Sequence, residues 1–244
     1  IYSSANYQLA EHFENLILNS GAARAGTGNA LNNSITGNDA ANVLQGLDGN
    51  DTLSGQTGND TMYGGNGDDW LVGGVGRDLT SGGAGNDLYS TDGGDVIVEA
   101  ANSGIDTVRS TATVALTANV ENLLLVSGGV QHGFGNDLAN RIIGNANNNF
   151  LSGNGGNDTL TGGGGIDNFV FRDGRDVIAD FSDDVDTIRI DDVAWGGGAR
   201  SVAQVLADAA VVGGSTVFDF GNGNTLTVTG LTNIAALQND LVII

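Results

Sequence analysis

Carboxylates recur every ninth residue through a long stretch of this chain. Asp51, Asp60, Asp69, Asp78 and Asp87 stand nine apart, and Asn33 and Asn42 precede them in the same register. A second, shorter run places Asn140, Asn149, Asp158 and Asp167 at the same interval. Five residues before each stands a glycine, and two residues after it stands Ile35, Leu44, Leu53, Met62, Leu71, Thr80, Tyr89, Ile142, Leu151, Leu160 or Phe169. One inward side chain per nine residues suits a three-residue strand, because side chains alternate along a strand. Two nonamers then make one flattened coil of eighteen residues, with a turn at each edge. Stacking such coils lines up carboxylates eighteen apart: Asp51, Asp69 and Asp87 on one edge, Asp60 and Asp78 on the other. Stacked about 5 Å apart, they repel one another. A hard cation removes the repulsion; calcium takes about 6–8 oxygens, which carboxylates and turn carbonyls supply.

The turns must position these groups. Gly49, Gly58, Gly67, Gly76 and Gly85 hold the fourth place of their nonamers, as Gly156 and Gly165 do in the second run. Glycine at the first and fourth places permits φ > 0 and close approach of neighbouring coils. The pairs expected to bind best are Asp51/Asp69, Asp60/Asp78 and Asp69/Asp87. Asn42/Asp60, Asn140/Asp158 and Asn149/Asp167 follow, since an amide brings one carbonyl oxygen and no charge. Metal is therefore expected to be weak or absent at the start of each run. Asp48, Asn66 and Asp68 are expected to add direct or water-bridged contacts, and Asp176, eighteen after Asp158, one more site. Asp92 and Asp95 stand where they could close the last sites, and Arg77 and Thr80 weaken the pattern locally.

The repeat, seen in GGNGDDWLV and GGAGNDLYS, resembles the GGxGxDxUx nonapeptide of the RTX (hemolysin-type) family of secreted calcium-binding β-roll proteins. The resemblance implies an all-β fold: a parallel β-roll, or right-handed β-solenoid, in two stacked tracts with a small C-terminal hairpin and helix cap. Asp176, Asp180, Phe181, Asp186 and Ile188 match the D-V-I-x-D-F…D-x-I segment that ends β-rolls in serralysin-type proteases. The last fifty residues resemble the C-terminal region of proteins exported by type I secretion, which implies that machinery as a partner and a secreted or cell-surface location.

Composition agrees. There are 29 acidic residues against 8 basic ones, for a net charge of −21. Of the acidic residues 25 are Asp, and lysine is absent, which points to carboxylates placed in turns. Such a charge argues against nucleic acid and anionic membranes as partners. Roughly eight calcium ions would bring about +16, most of the imbalance. No apolar run is long enough to span a bilayer, and cysteine is absent, so thiolate sites and disulfides are excluded.

Five segments follow: spacer strands over 1–27, a seven-nonamer tract over 28–90, a second spacer over 91–134, a four-nonamer tract over 135–171, and a capping region with an export signal over 172–244. Spacer and tract recur with an offset of 107 residues: Glu14-Asn15-Leu16 returns as Glu121-Asn122-Leu123, and Gly28-Asn29 as Gly135-Asn136. The first copy opens mid-unit, so more protein is expected upstream of Ile1. Leu9, Phe13, Leu16, Leu18, Leu116, Val120, Leu123 and Leu125 read as inward-facing. Near the end, Ser201–Val211 reads as a helix, 215–220 and 225–229 as a hairpin, and the last fourteen residues as a short helix with an apolar end.

No catalytic constellation is present: no HExxH, no GxSxG, no P-loop lysine, and two isolated histidines, His12 and His132. The expected function is a non-enzymatic calcium-binding module that folds on calcium after export and stabilises a larger secreted protein. The other reading is the end of a large adhesin, or a module that binds extracellular polysaccharide beside an upstream epimerase, lipase or protease. Trp70 and Trp195 are its only tryptophan platforms.

Overall fold

The computed structural model describes residues 1–19, 24–126 and 128–244, so residues 20–23 of the first spacer and residue 127 of the second lie outside it. The fold is nearly all β, in two compact units: Ile1–Ser110 with Thr117–Val120, and Thr111–Leu116 with Glu121–Ile244.

In the first unit two parallel sheets face each other. One runs Tyr2–Ser3, Asn15–Leu18, Ser34–Thr36, Thr52–Thr57, Trp70–Val75, Leu88–Thr91, Thr107–Ser110. The other runs Tyr7–Gln8, Ala25–Thr27, Val43–Asp48, Thr61–Asn66, Leu79–Ala84, Val96–Ile97. Strands alternate between the sheets along the chain, which is the connectivity of a parallel β-solenoid. Register within the tract is eighteen residues, as in Leu53↔Leu71 and Leu44↔Met62. Where a spacer joins the tract it is nineteen in the first sheet, as in Leu16↔Ile35 and Tyr89↔Val108, but eighteen at Gly26↔Leu44 and seventeen at Thr80↔Ile97 in the other. The eighth-place side chains Ile35, Leu44, Leu53, Met62 and Leu71 are fully buried between the sheets, with Tyr89 beside them.

The second unit repeats the plan. Asn122–Leu125, Arg141–Ile143, Thr159–Thr161 and Arg175–Ile178 form one parallel series, and Val114–Ala115, His132–Phe134, Phe150–Ser152, Asn168–Phe171, Thr187–Ile190 and Leu241–Ile243 the other. The internal duplication holds in detail. Gly26 and Gly133 occupy equivalent core places. A Cβ on Gly26 would lie 3.1 Å from Leu16 and Ile35, and one on Gly133 2.9 Å from Leu123 and 3.2 Å from Ile142. The hairpin of Ser215–Gly221 and Asn224–Val228 is antiparallel and joins the first series through Arg175–Ile178.

Three expectations need correction. Phe13 is exposed, unlike the other spacer residues read as inward-facing; it lies outside the strand Asn15–Leu18 and escapes its alternation. The helix read over 201–211 covers only Val202–Leu206, held by a Ser201/Gln204 capping box. From Ala209 the β-branched Val211 and Val212 and the Gly213-Gly214 turn favour a strand, and Ala209–Val212 pairs antiparallel with the hairpin. At the chain's end the helix is a 3-10 turn over Ile234–Gln238, and the apolar residues after it form the strand Leu241–Ile243 beside Thr187–Ile190.

Candidate metal centres

Each sixth-place aspartate is built into its edge in the same way. One carboxylate oxygen accepts the backbone N–H of the residue eighteen earlier. Asn33, Asp51 and Asp69 donate to Oδ1 of Asp51, Asp69 and Asp87 at 2.6, 2.7 and 2.8 Å. On the other edge Asn42 and Asp60 donate to Asp60 and Asp78, both at 2.7 Å. In the second unit Asp158, Asp167 and Asp176 accept from Asn140, Asn149 and Asp158 at 2.7, 2.8 and 2.9 Å. The other oxygen is left over. Oδ2 of Asp51, Asp60, Asp69, Asp78, Asp87 and Asp158 is buried and has no hydrogen-bond partner.

The first-place glycine makes room for that oxygen. A Cβ on Gly64 would lie 2.1 Å from Asp69 Oδ2 and 2.5 Å from the Gly82 carbonyl oxygen; Gly46 stands likewise to Asp51 Oδ2 and the Gly64 carbonyl, at 2.0 and 2.7 Å. A carboxylate oxygen and a carbonyl oxygen from the next coil thus converge on one point. Burial raises the carboxyls of Asp51, Asp60, Asp69, Asp158 and Asp167 to about 6, against the lowering effect of the N–H each accepts. Burial likewise takes Asp87 to about 7 and Asp176 to about 8, and raises Asp78. An uncompensated buried charge is costly. Hard anionic oxygens beside carbonyls are the donor set calcium prefers, so the residues fit that ion.

Four stretches, 27–62, 54–89, 63–98 and 134–169, match the family model of the RTX calcium-binding nonapeptide repeat. The chain carries RTX calcium-binding nonapeptide repeats. No curated protein matches it in sequence. Among solved structures, the extracellular lipase LipA from Serratia marcescens is similar at 18% identity with a TM-score of 0.42, over 96% of this chain. The chain spans 41% of the length of that lipase chain.

The RTX register contains two kinds of turn. In the five aspartate turns of the first tract, the fourth-place glycines Gly49, Gly58, Gly67, Gly76 and Gly85 have positive φ, as do Gly156 and Gly165 in the second. So does the second place, including the non-glycine residues Leu47, Gln56 and Asn154, at φ 89, 80 and 67°. The first-place glycines do not, so their role is space alone.

The asparagine turns are wired differently. Asn33, Asn140 and Asn149 each accept, on Oδ1, the N–H of the second residue of their own turn (Asn29, Asn136 and Asn145) at 2.7 Å. Asn42 does the same with Asn38. The Oδ1 atom takes the place of the orphan carboxylate oxygen beside the first-place glycine, and the Nδ2 group donates to a carbonyl of the preceding coil: Asn149 to Gln131 at 2.8 Å and Asn140 to Glu121 at 3.2 Å. The second-place asparagine folds its own side chain over the turn, as in Ala40 N–H to Asn38 Oδ1 at 2.9 Å. These amides satisfy one another internally. Asn42 and Asn149, read as lesser ligands, sit in such turns.

Of the remaining site residues, Asp48, Asn66, Asp68, Asp92 and Asp180 are exposed at the rim, whereas Asp186 is buried. Asn66 donates to Asp48 at 2.7 Å, and Asp68 accepts from the Asn86 N–H at 2.7 Å; all four are outside the buried ladder. Asp95 continues the second edge, accepting from Asp78 N–H at 3.0 Å, while Asp92 is exposed. Asp180 accepts from Gly162 and Gly163 N–H, both at 2.8 Å, and Asp186 from Asp167 N–H at 2.9 Å. Trp70 is exposed and donates to Ser90 Oγ, whereas Trp195 packs between Phe220 and the Arg200 guanidinium. Sequence reasoning missed Glu99 and Asp106, both buried beside Asp87. Asp106 stands nineteen residues after Asp87, and Glu99 has no register at all; the only signal was that Glu99 is one of four glutamates.

Proposed function

We propose that this chain is a calcium-driven folding module of a secreted protein, with no catalytic centre of its own. The observation that carries the reading is the ladder of buried carboxylate oxygens without hydrogen-bond partners. In a cytosol poor in free calcium, their mutual repulsion and the entropy of 41 glycines oppose folding, which keeps the chain in a form suited to type I export. Outside the cell, calcium fills the ladder, and binding free energy becomes folding free energy because the sites exist only in the folded chain. Roughly eight ions are expected, in line with the charge imbalance. A polysaccharide-binding role would rest on Trp70 alone and ranks second.

The test is far-UV circular dichroism of the purified chain titrated with calcium, with magnesium as control. Cooperative gain of β-structure with calcium and none with magnesium is expected. A chain fully folded in chelator would overturn the folding mechanism and bring the binding-module reading forward.

A further inference from the structure

We propose that Asp87, Glu99 and Asp106 form an additional cation site that closes the first tract, with Glu99 as a ligand from outside the repeat. The proposal rests on the calcium reading above and extends it to a residue the nonapeptide pattern does not contain.

One oxygen from each of the three residues lies within 4.8 Å of the other two, and the residues are 1%, 8% and 0% exposed. Three carboxylates that close, withdrawn from water, repel strongly unless a cation or protons intervene. An independent feature points to a cation: Asp87 Oδ2 is buried without a hydrogen-bond partner. Gly82 locates that oxygen, since a Cβ there would lie 2.0 Å from it. The N–H of the same glycine donates to the Tyr89 hydroxyl at 2.5 Å, and that hydroxyl in turn donates to Glu99 Oε1. Gly82 therefore sets the orphan oxygen of Asp87 and, through Tyr89, the carboxylate of Glu99 side by side.

The other two ligands are held as firmly. Glu99 Oε2 accepts from Ser103 Oγ at 2.9 Å and from the Ala100 N–H at 3.1 Å. Asp106 Oδ1 accepts the Asp87 N–H at 2.8 Å, which makes it the next rung of the ladder. Rungs inside the tract join carboxylates from two coils. Here a third arrives from the segment between Thr91 and Asp106, so one ion would tie that irregular segment to the last repeat. Three hard carboxylates suit calcium, and a trivalent lanthanide in its place; magnesium, which keeps its waters and an octahedral shell, suits the cluster less.

The experiment counts calcium bound by wild-type chain and the isosteric variant Glu99→Gln, using native mass spectrometry and titration calorimetry, with circular dichroism to verify folding. The variant is expected to hold one ion fewer at limiting calcium and to lose at least tenfold in the affinity of one site. Equal ion number and equal affinity in a folded variant would overturn the proposal while leaving the calcium reading intact. A wild-type chain that binds no calcium would overturn both. Should Glu99→Gln fail to fold, terbium luminescence excited through tyrosine decides: Tyr89→Phe keeps all three carboxylates and is expected to lose much of the sensitised emission. Undiminished emission would place no ion at this cluster.

Discussion

Replacing Asp69 with asparagine should shift stability in opposite directions with and without calcium. Asp69 is 2% exposed; its Oδ1 accepts the Asp51 N–H at 2.7 Å, and its Oδ2 has no partner. Asparagine in the same rotamer keeps the first bond and puts an NH2 group where the orphan oxygen stood, near the Gly82 carbonyl. Without metal at neutral pH, the wild-type chain carries a buried charge whose carboxyl is raised by burial to about 6 from 3.8. That difference corresponds to about 3 kcal/mol of destabilisation. Removing the charge recovers it, less the cost of an imperfectly paired amide, for a net gain of about 2 kcal/mol. With calcium the sign reverses. Asp69 faces both Asp51 and Asp87, so the variant weakens two sites; tenfold at each amounts to about 3 kcal/mol lost. The assay is circular dichroism, with urea unfolding in excess calcium and osmolyte-induced folding in chelator. Expected are a lower urea midpoint in calcium and a lower osmolyte requirement in chelator. A shift of the same sign in both conditions would refute the reasoning, because Asp69 would then be an ordinary packing residue.

Acidity should imitate calcium. The buried carboxyls hold protons more tightly in the folded chain, with values raised to about 6 for Asp51 and Asp60, about 7 for Asp87 and about 8 for Asp176. The stability their protonation contributes is complete below the ordinary carboxylate value and is lost as pH rises through 6 to 8. In chelator the β-sheet signal should therefore grow as pH falls from 8 to 5, and calcium affinity should drop over the same range. Leu47→Gly should stabilise the calcium-loaded chain by up to about 1 kcal/mol in thermal unfolding, since Leu47 is held at φ 89° with its side chain exposed. Asn149→Asp should destabilise by about 2–3 kcal/mol in urea, because it replaces the amide that donates to Gln131 with a carboxylate facing a carbonyl.

Much of this fold was legible because its information is periodic. A residue type that returns every nine positions must face the same environment in every coil, so Leu44, Leu53, Met62 and Leu71 could be placed in the core, and Asp51, Asp69 and Asp87 on one edge, by counting. Single occurrences carry no such redundancy. Phe13 fits an apolar pattern yet lies outside the strand that would turn it inward. Ser201–Val211 has helical spacing, but the strand partner that claims its last residues sits beyond a two-glycine turn and is set by the hairpin.

The sequence by itself determined the repeat, the inward apolar series, the carboxylate ladder and the charge that calls for calcium, because each follows from local spacing. Only the tertiary structure decided which oxygens remain unpaired. It showed that asparagine turns satisfy their own amides while aspartate turns leave Oδ2 unpartnered at most positions, and that the first and fourth glycines do different work. It also brought Glu99, distant from any register, to Asp87 and Asp106. The physical reason is that hydrogen-bond satisfaction is a property of neighbours in space, and a carboxylate's partner eighteen residues away exists only once the coils are stacked.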